Sequence, residues 1–285
     1  MPGIGKLIGR VSVLLDYYPS AQFAGLHVAN RLGLYGKNGL EVDLLPPPGA
    51  GGDEPQLVCD MQRAFDMEGG GCAADVPRLA VGTVEQNVLI PAVARGVQSK
   101  AFGTILQQSP LAVATLPHNK LGGAADLRGK RIGMHVDSLE LMHSLMSLSG
   151  HAARVVEVER ASKVRDLLDG KVDAIQIYDC MEALELRDLL QQTPNVLRLG
   201  HLAQQCPRPI TLGYSQVLFG AKWGLRPAAA RRALHAFMLA SAEGWRIAQA
   251  DPSKAVAAVL QDRAELGSLV GSAVDSAAFQ VCVCV

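Results

Sequence analysis

The polar and aromatic side chains that follow strand-like runs are the groups in this sequence best placed to do chemistry. Asp16, Tyr17, Tyr18, Ser20 and Gln22 follow the apolar run VSVLL at 11–15, and Thr83, Glu85 and Gln86 follow LAVG at 79–82. Gln107, Gln108 and Ser109 precede another apolar run, His135, Asp137 and Ser138 follow RIGM at 131–134, and Tyr178, Asp179 and Glu182 close the run that begins at 172. Aromatic faces stack on planar rings, and carboxylates accept hydrogen bonds from amino groups. The set therefore suits a flat, nitrogen-rich ring better than a phosphate or an oxyanion. Local roles compete at single positions: Ser138 and Thr83 are also helix-cap residues, and Asp137 is a turn residue. His135 has the chemistry of a base or a ligand, but a lone histidine with no identified partner is more often a hydrogen-bonded structural group.

Other chemistries lack their signatures. There is no GxSxG, no HExxH and no nucleophile with a paired base. The glycine stretch at 69–71 lacks the lysine and serine or threonine of a phosphate loop. Six cysteines at 59, 72, 180, 206, 282 and 284 form no CxxC pair and fit no zinc spacing, so they read as scattered thiols; a Cys282–Val–Cys284 tail offers two soft ligands at most. No metal and no cofactor is expected.

The elements that must position these residues alternate between strand and helix. Strand-like runs fall at 11–15, 40–45, 79–82, 100–106, 111–115, 131–134, 154–158, 172–178, 196–199 and 214–221. Helical patterns fall at 22–34, 58–75, 84–95, 138–149, 163–168, 181–190, 227–250 and 251–260. This order predicts an α/β chain with largely parallel strands. The runs at 111–115 and 214–221 read as crossings between two lobes, 1–108 plus 214–285 and 109–213, with a hinge and a ligand cleft where they meet. Ligands of open α/β sheets gather at the carboxyl ends of strands, which is where the polar list lies.

The 285 residues carry 27 basic and 27 acidic side chains, and a balance of zero disfavours a nucleic-acid partner, which needs a basic face. About half of the residues (49%) are hydrophobic, enough for a buried core. The first 18 residues read as a strand rather than as a signal peptide. That places the chain in the cytoplasm as written, and in the periplasm if the start is incomplete.

Several stretches resemble a known superfamily. These are DYYPSAQFAG at 16–25 with GLY at 33–35 and GLEV at 39–42, VGTVEQ at 81–86, DLRGKRIG at 126–133, DAI at 173–175 and DCMEALEL at 179–186. Together they are similar to periplasmic-binding-protein-like (type II) chains, in the branch that holds thiamine-pyrimidine binding proteins and fungal thiamine-pyrimidine synthases. DLRGKRIG is common to many binding proteins, whereas the first motif with the 182–185 segment points more narrowly to a pyrimidine ligand. The resemblance implies a bilobal fold and a thiamine-precursor aminopyrimidine as ligand, delivered to the membrane subunits of an ABC transporter. It places Tyr17 and Tyr18 on the ring and Asp16, Glu85, Asp179 and Glu182 against its amino groups. The synthases use pyridoxal phosphate held by a lysine, a sacrificial histidine of their own chain, and iron. Here those two positions fall on Val84 and Val88, and the cysteine-rich motif is missing. Synthesis with other residues, His135 or His143 replacing the histidine, stays open as an alternative, as does a sulfonate or nitrate receptor, which the acidic list with no obvious arginine disfavours.

Overall fold

A computed structural model describes residues 6–47, 52–69 and 71–270, and the side chains of all these except 266–270. Gly70, part of the Pro/Gly loop after residue 47, and the Cys282 and Cys284 tail lie outside the described residues.

Among the described residues, the first unit gathers those up to Ile105 and those from Gln216 to Val270. Its first half runs β1 (Gly9–Leu14), a 3-10 turn (Ala21–Phe23), α1 (Ala24–Arg31), α2 (Leu34–Lys37), β2 (Leu40–Leu45), α3 (Glu54–Met67), β3 (Arg78–Val84), α4 (Gln86–Ala94) and β4 (Ser99–Leu106). The second unit, Leu106–Ser215, holds β5 (Leu111–Thr115), β6 (Arg131–Met134), α5 (Leu139–Leu148), β7 (Arg154–Glu157), α6 (Lys163–Leu168), β8 (Ala174–Tyr178), α7 (Glu182–Leu190), β9 (Asn195–Arg198) and α8 (Leu199–Gln204). The chain then re-enters the first unit with β10 (Ser215–Ala221), α9 (Ala228–Ala250) and α10 (Pro252–Val270).

Each unit is built on its own five-stranded sheet, ordered β2-β1-β3-β10-β4 in the first and β7-β6-β8-β5-β9 in the second. The same plan is used twice. A parallel trio begins each sheet (β1 with β2 and β3; β6 with β7 and β8), and a strand from elsewhere in the chain then joins it antiparallel: β10 against β3, and β5 against β8. β5 also pairs antiparallel with β9. The two runs read as crossings are thus interior strands of mixed sheets, and the strand set is less uniformly parallel than the alternation predicts. A strand entering a sheet by a route other than a βαβ crossover is not bound to run parallel.

The α9 helix packs closely along α1, and glycines make this possible. A Cβ on Gly25 would fall 2.2 Å from the Trp245 ring, and one on Gly244 would fall 2.1 Å from the Gly25 carbonyl. Phe23, Leu26, Tyr35, Leu79, Val81 and Phe237 fill the core between this helix pair and the sheet, with Tyr35 stacked on Phe237. On the other face, Val58, Phe65, Val84, Val88, Leu89 and Phe219 form a second apolar cluster under α3 and α4. In the second unit Ile175, Ile177, Leu167, Val172 and Leu186 pack α6 and α7 onto β8.

The helix expected over 22–34 is broken in three. Gly33 takes a left-handed φ of 63° and splits α1 from α2, a conformation glycine adopts without strain. The α3 helix starts earlier than the pattern implies, since Pro55 sits in its first turn, where its missing N–H costs nothing, and it ends before the glycine stretch, with Gly69 at φ 77°. The α10 helix runs ten residues past the expected stop at 260.

Candidate functional site

In the first unit the carboxyl ends of β1 and β3 lie side by side, because Leu14 is in register with Gly82. Two residues past the end of β1, Asp16 folds back on Thr83. The Thr83 hydroxyl donates to Asp16 Oδ1 at 2.7 Å and accepts from the Asp16 N–H at 3.1 Å. Both residues are buried, so Thr83 acts as a reciprocal clasp on Asp16; the helix-cap position belongs to Glu85 instead. Glu85 is buried at the head of α4 and Gln86, next to it, is half-buried. Tyr17 and Tyr18 meet edge to face, with ring centroids 5.8 Å apart. Tyr17 leans on the core, while Tyr18 is 43% exposed and offers an open aromatic face.

Two buried glutamines of this unit have unpaired side chains. Gln22 lies in the 3-10 turn after β1 and is buried, with neither amide atom hydrogen-bonded; the nearby buried Ser20 hydroxyl is likewise unpartnered. Gln216 begins β10. The antiparallel register Val217↔Val84 carries it alongside Glu85. It too is fully buried with neither amide atom paired, and its φ of 53° is left-handed. An unpaired buried amide group costs about 1–3 kcal/mol, and a non-glycine residue in this backbone region costs about 1–3 kcal/mol more. The residues of this rim named here include no lysine or arginine. Sequence patterning passes over Gln216 because it lies inside a strand-like run, near its start, rather than after one.

The second unit presents a different arrangement, centred on ion pairs. Lys163 Nζ and Glu182 Oε1 are 2.5 Å apart with both side chains almost wholly buried, and Glu182 Oε2 accepts from the Tyr178 N–H at 2.8 Å. Arg160 Nη2 donates to Asp137 Oδ2 at 3.1 Å, and the Ser138 hydroxyl donates to Asp137 Oδ1 at 2.9 Å rather than capping α5. Arg198 donates from Nε to Asp179, whose own N–H bonds the Pro110 carbonyl. Tyr178 is a buried strand residue paired with Leu111, and Gln108 is exposed ahead of β5. Ser109 accepts the Leu111 N–H.

These contacts correct one sequence expectation, that of an acidic list with no arginine beside it: Arg160, Lys163 and Arg198 stand against Asp137, Glu182 and Asp179. The Asp179 and Glu182 carboxylates each already accept bonds from within their own unit. His135 is buried beside the same cluster, its N–H donating to the Gln176 side chain at 2.9 Å and its Nε2 unpartnered. Burial, reinforced by the positive charges of Lys163 and Arg160, pushes its pKa down to about 2, so the ring is neutral at ordinary pH. Among the described residues no group of three histidine, cysteine or acidic side chains could hold a metal ion, and no helix is long and apolar enough to cross a membrane.

Val84, which ends β3, and Val88 on α4 are core residues, both packed among Val58, Phe65 and Phe219.

The model of the family described as NMT1/THI5 like matches residues 78–255. A putative thiamine biosynthesis protein of Haemophilus influenzae is 30% identical over 172 residues, which is 58% of this chain and 49% of that protein. The 4-amino-5-hydroxymethyl-2-methylpyrimidine phosphate synthase of Legionella pneumophila is 23% identical over 70% of this chain and 58% of its own length. The chain thus spans about half the length of these relatives. Among solved structures, the periplasmic aliphatic sulphonate binding protein SsuA of Escherichia coli superposes with a TM-score of 0.62 at 14% identity, covering 90% of this chain and 79% of that one. A likeness at that identity establishes the fold alone, the two-lobed α/β architecture of periplasmic binding proteins.

Proposed function

This chain belongs to the NMT1/THI5 like family, and from that premise we propose that it binds a small heteroaromatic, an aminopyrimidine precursor of thiamine. The names of both curated relatives support the direction. The observation that carries the reading is the rim of the first unit. It comprises the Tyr18 face, the buried amide of Gln216 beside Glu85, and the Asp16–Thr83 clasp, with no cationic side chain in the set. A hydrogen-bonding, ring-stacking rim that carries carboxylates and no cation suits an uncharged planar ligand with amino groups. An oxyanion calls for positive charge or for helix N-termini aimed at it.

A second reading, a sulfonate or nitrate receptor, draws on the SsuA likeness and on the cations of the second unit. It is the weaker, because Arg160, Lys163 and Arg198 each face a carboxylate that already neutralises them. The reading as a pyrimidine synthase is opposed by the apolar packing of Val84 and Val88, which provide neither an amine for pyridoxal phosphate nor an imidazole to donate. Binding requires neither group, and no cofactor belongs to this proposal. Hand-over of the ligand to the membrane subunits of an ABC transporter is part of the same reading.

Thermal unfolding followed across a small panel tests it. A ligand that binds only the folded chain at a hundred times its Kd stabilises it by about 2.7 kcal/mol. The melting temperature should rise with 4-amino-5-hydroxymethyl-2-methylpyrimidine and stay unchanged with an alkanesulfonate, nitrate or pyridoxal phosphate. Incubation with pyridoxal phosphate and iron should leave the protein mass unaltered and yield no pyrimidine; formation of product would return the synthase reading to first place.

A further inference from the structure

We infer that Gln216 is a specificity-determining residue, its side-chain amide reading the N=C–NH2 edge of the bound ring; this rests on the aminopyrimidine reading above. Two independent features single the residue out. Its amide nitrogen and oxygen are both buried without a partner, and its backbone holds a left-handed φ of 53° that glycine or asparagine would adopt more readily. Folded proteins rarely tolerate either feature without a use for it.

The place in the fold fits that use. Gln216 is the first residue of the first unit after the chain returns from the second. Strand register sets it beside Glu85, at the end of β3 where Thr83 clasps Asp16. The other unpaired buried nitrogens of this unit have a different setting: His27 Nε2 and Trp245 Nε1 lie where α1 meets α9 and α10. Gln22 shares the paired donor and acceptor, but its turn packs against α10.

The chemistry fits as well. A primary amide presents one donor next to one acceptor. A 4-aminopyrimidine presents the complement, a ring nitrogen that accepts and an exocyclic amine that donates, as adenine does to glutamine in a bidentate pair. A carboxylate lacks the donor and an ammonium lacks the acceptor. The Gln216 amide is closed to solvent in this conformation, so binding of the ring requires local opening of the residues that cover it.

Equilibrium dialysis of the full chain tests the assignment, using 4-amino-5-hydroxymethyl-2-methylpyrimidine and its analogue without the 4-amino group. A site built to pair with an amine rejects the analogue lacking it, so the wild type should prefer the amino ring by about tenfold or more. Gln216→Met keeps the length and backbone of the side chain but removes both hydrogen-bonding atoms. It should bind the amino ring about tenfold more weakly, with the preference between the two rings collapsing toward one. Should the methionine variant fail to fold, Gln216→Asn and Gln216→Gly decide, since both accept the backbone and only asparagine keeps an amide. Asparagine should then retain a preference that glycine loses. Wild-type preference in Gln216→Met, or equal preference in the asparagine and glycine variants, overturns the role of Gln216 and leaves the aminopyrimidine reading standing. A wild type that binds neither ring removes both.

Discussion

At the residue scale several buried ionisable groups of the second unit act on one another through contact or charge, and this has measurable consequences. His135 is the clearest case. Its folded pKa of about 2 lies far below the ordinary value of 6.5 because burial and the nearby Lys163 and Arg160 disfavour the imidazolium. Above pH 6.5 the ring is neutral in both states and contributes no pH dependence. Below 6.5 the unfolded chain takes up a proton that the folded chain refuses, so stability falls as pH falls, by about 1.4 kcal/mol per unit until the folded pKa is reached. Chemical denaturation at pH 7, 6 and 5 should show the wild type losing about 2 kcal/mol from this residue by pH 5. His135→Asn should lack that part of the slope, and parallel pH profiles for the two proteins would contradict the assignment. The Lys163–Glu182 pair makes a second prediction. Lys163→Met leaves a buried, uncompensated carboxylate and should cost about 3–5 kcal/mol in urea unfolding. The doubly altered Lys163→Met/Glu182→Leu chain should recover part of that loss, although the Tyr178 N–H then loses its acceptor. The carboxylates themselves were legible as polar residues after strands. Their partners were not, since Arg160, Lys163 and Arg198 come from separate elements and only the folded sheet brings them within bonding distance.

At the element scale most strands were readable from short apolar runs. The segments 40–45, 111–115 and 131–134 have the same bounds in the structure. Failures occurred where periodicity has too little length to act on or where one residue overrides it. The six-residue α8 at Leu199–Gln204 is shorter than two turns, and only its first residue falls in an assigned run, the extended 196–199. Gly33 interrupted an otherwise continuous helical pattern. Gly25 shows what the local pattern cannot reveal: it belongs to a motif that resembles the family, yet its evident physical role is contact with a helix more than 200 residues away. Gly244 is its counterpart on α9, facing the Gly25 carbonyl and Ala29. Gly244→Ala would have to push α9 off α1, and overpacking of this kind costs about 1–3 kcal/mol. The expected result is a lower melting temperature; an unchanged one would mean that the helix pair adjusts freely. The rim residue Gln216 was invisible for another reason: its significance lies in unpaired atoms and a backbone angle, and neither is written in residue type.

At the scale of the whole molecule the alternation of strands and helices, with its two out-of-order strands, carried the fold class. Each sheet is a parallel trio completed by an antiparallel strand, and the family match over 78–255 spans parts of both units. What the alternation could not supply was chemistry, because related folds hold different ligands on similar frames. The contrast between the units bears on that choice. Arg160, Lys163 and Arg198 of the second are neutralised by carboxylates of their own unit, whereas the named rim of the first is uncharged apart from Asp16 and Glu85 and keeps the unpaired amide of Gln216. The account therefore stands on recognition of a neutral, amino-bearing ring. Titration calorimetry of the wild-type chain, with 4-amino-5-hydroxymethyl-2-methylpyrimidine in one run and an alkanesulfonate in another, tests this most directly. The account predicts saturable binding of one pyrimidine per chain and no heat of binding from the sulfonate; saturation by the sulfonate with none by the pyrimidine would contradict it.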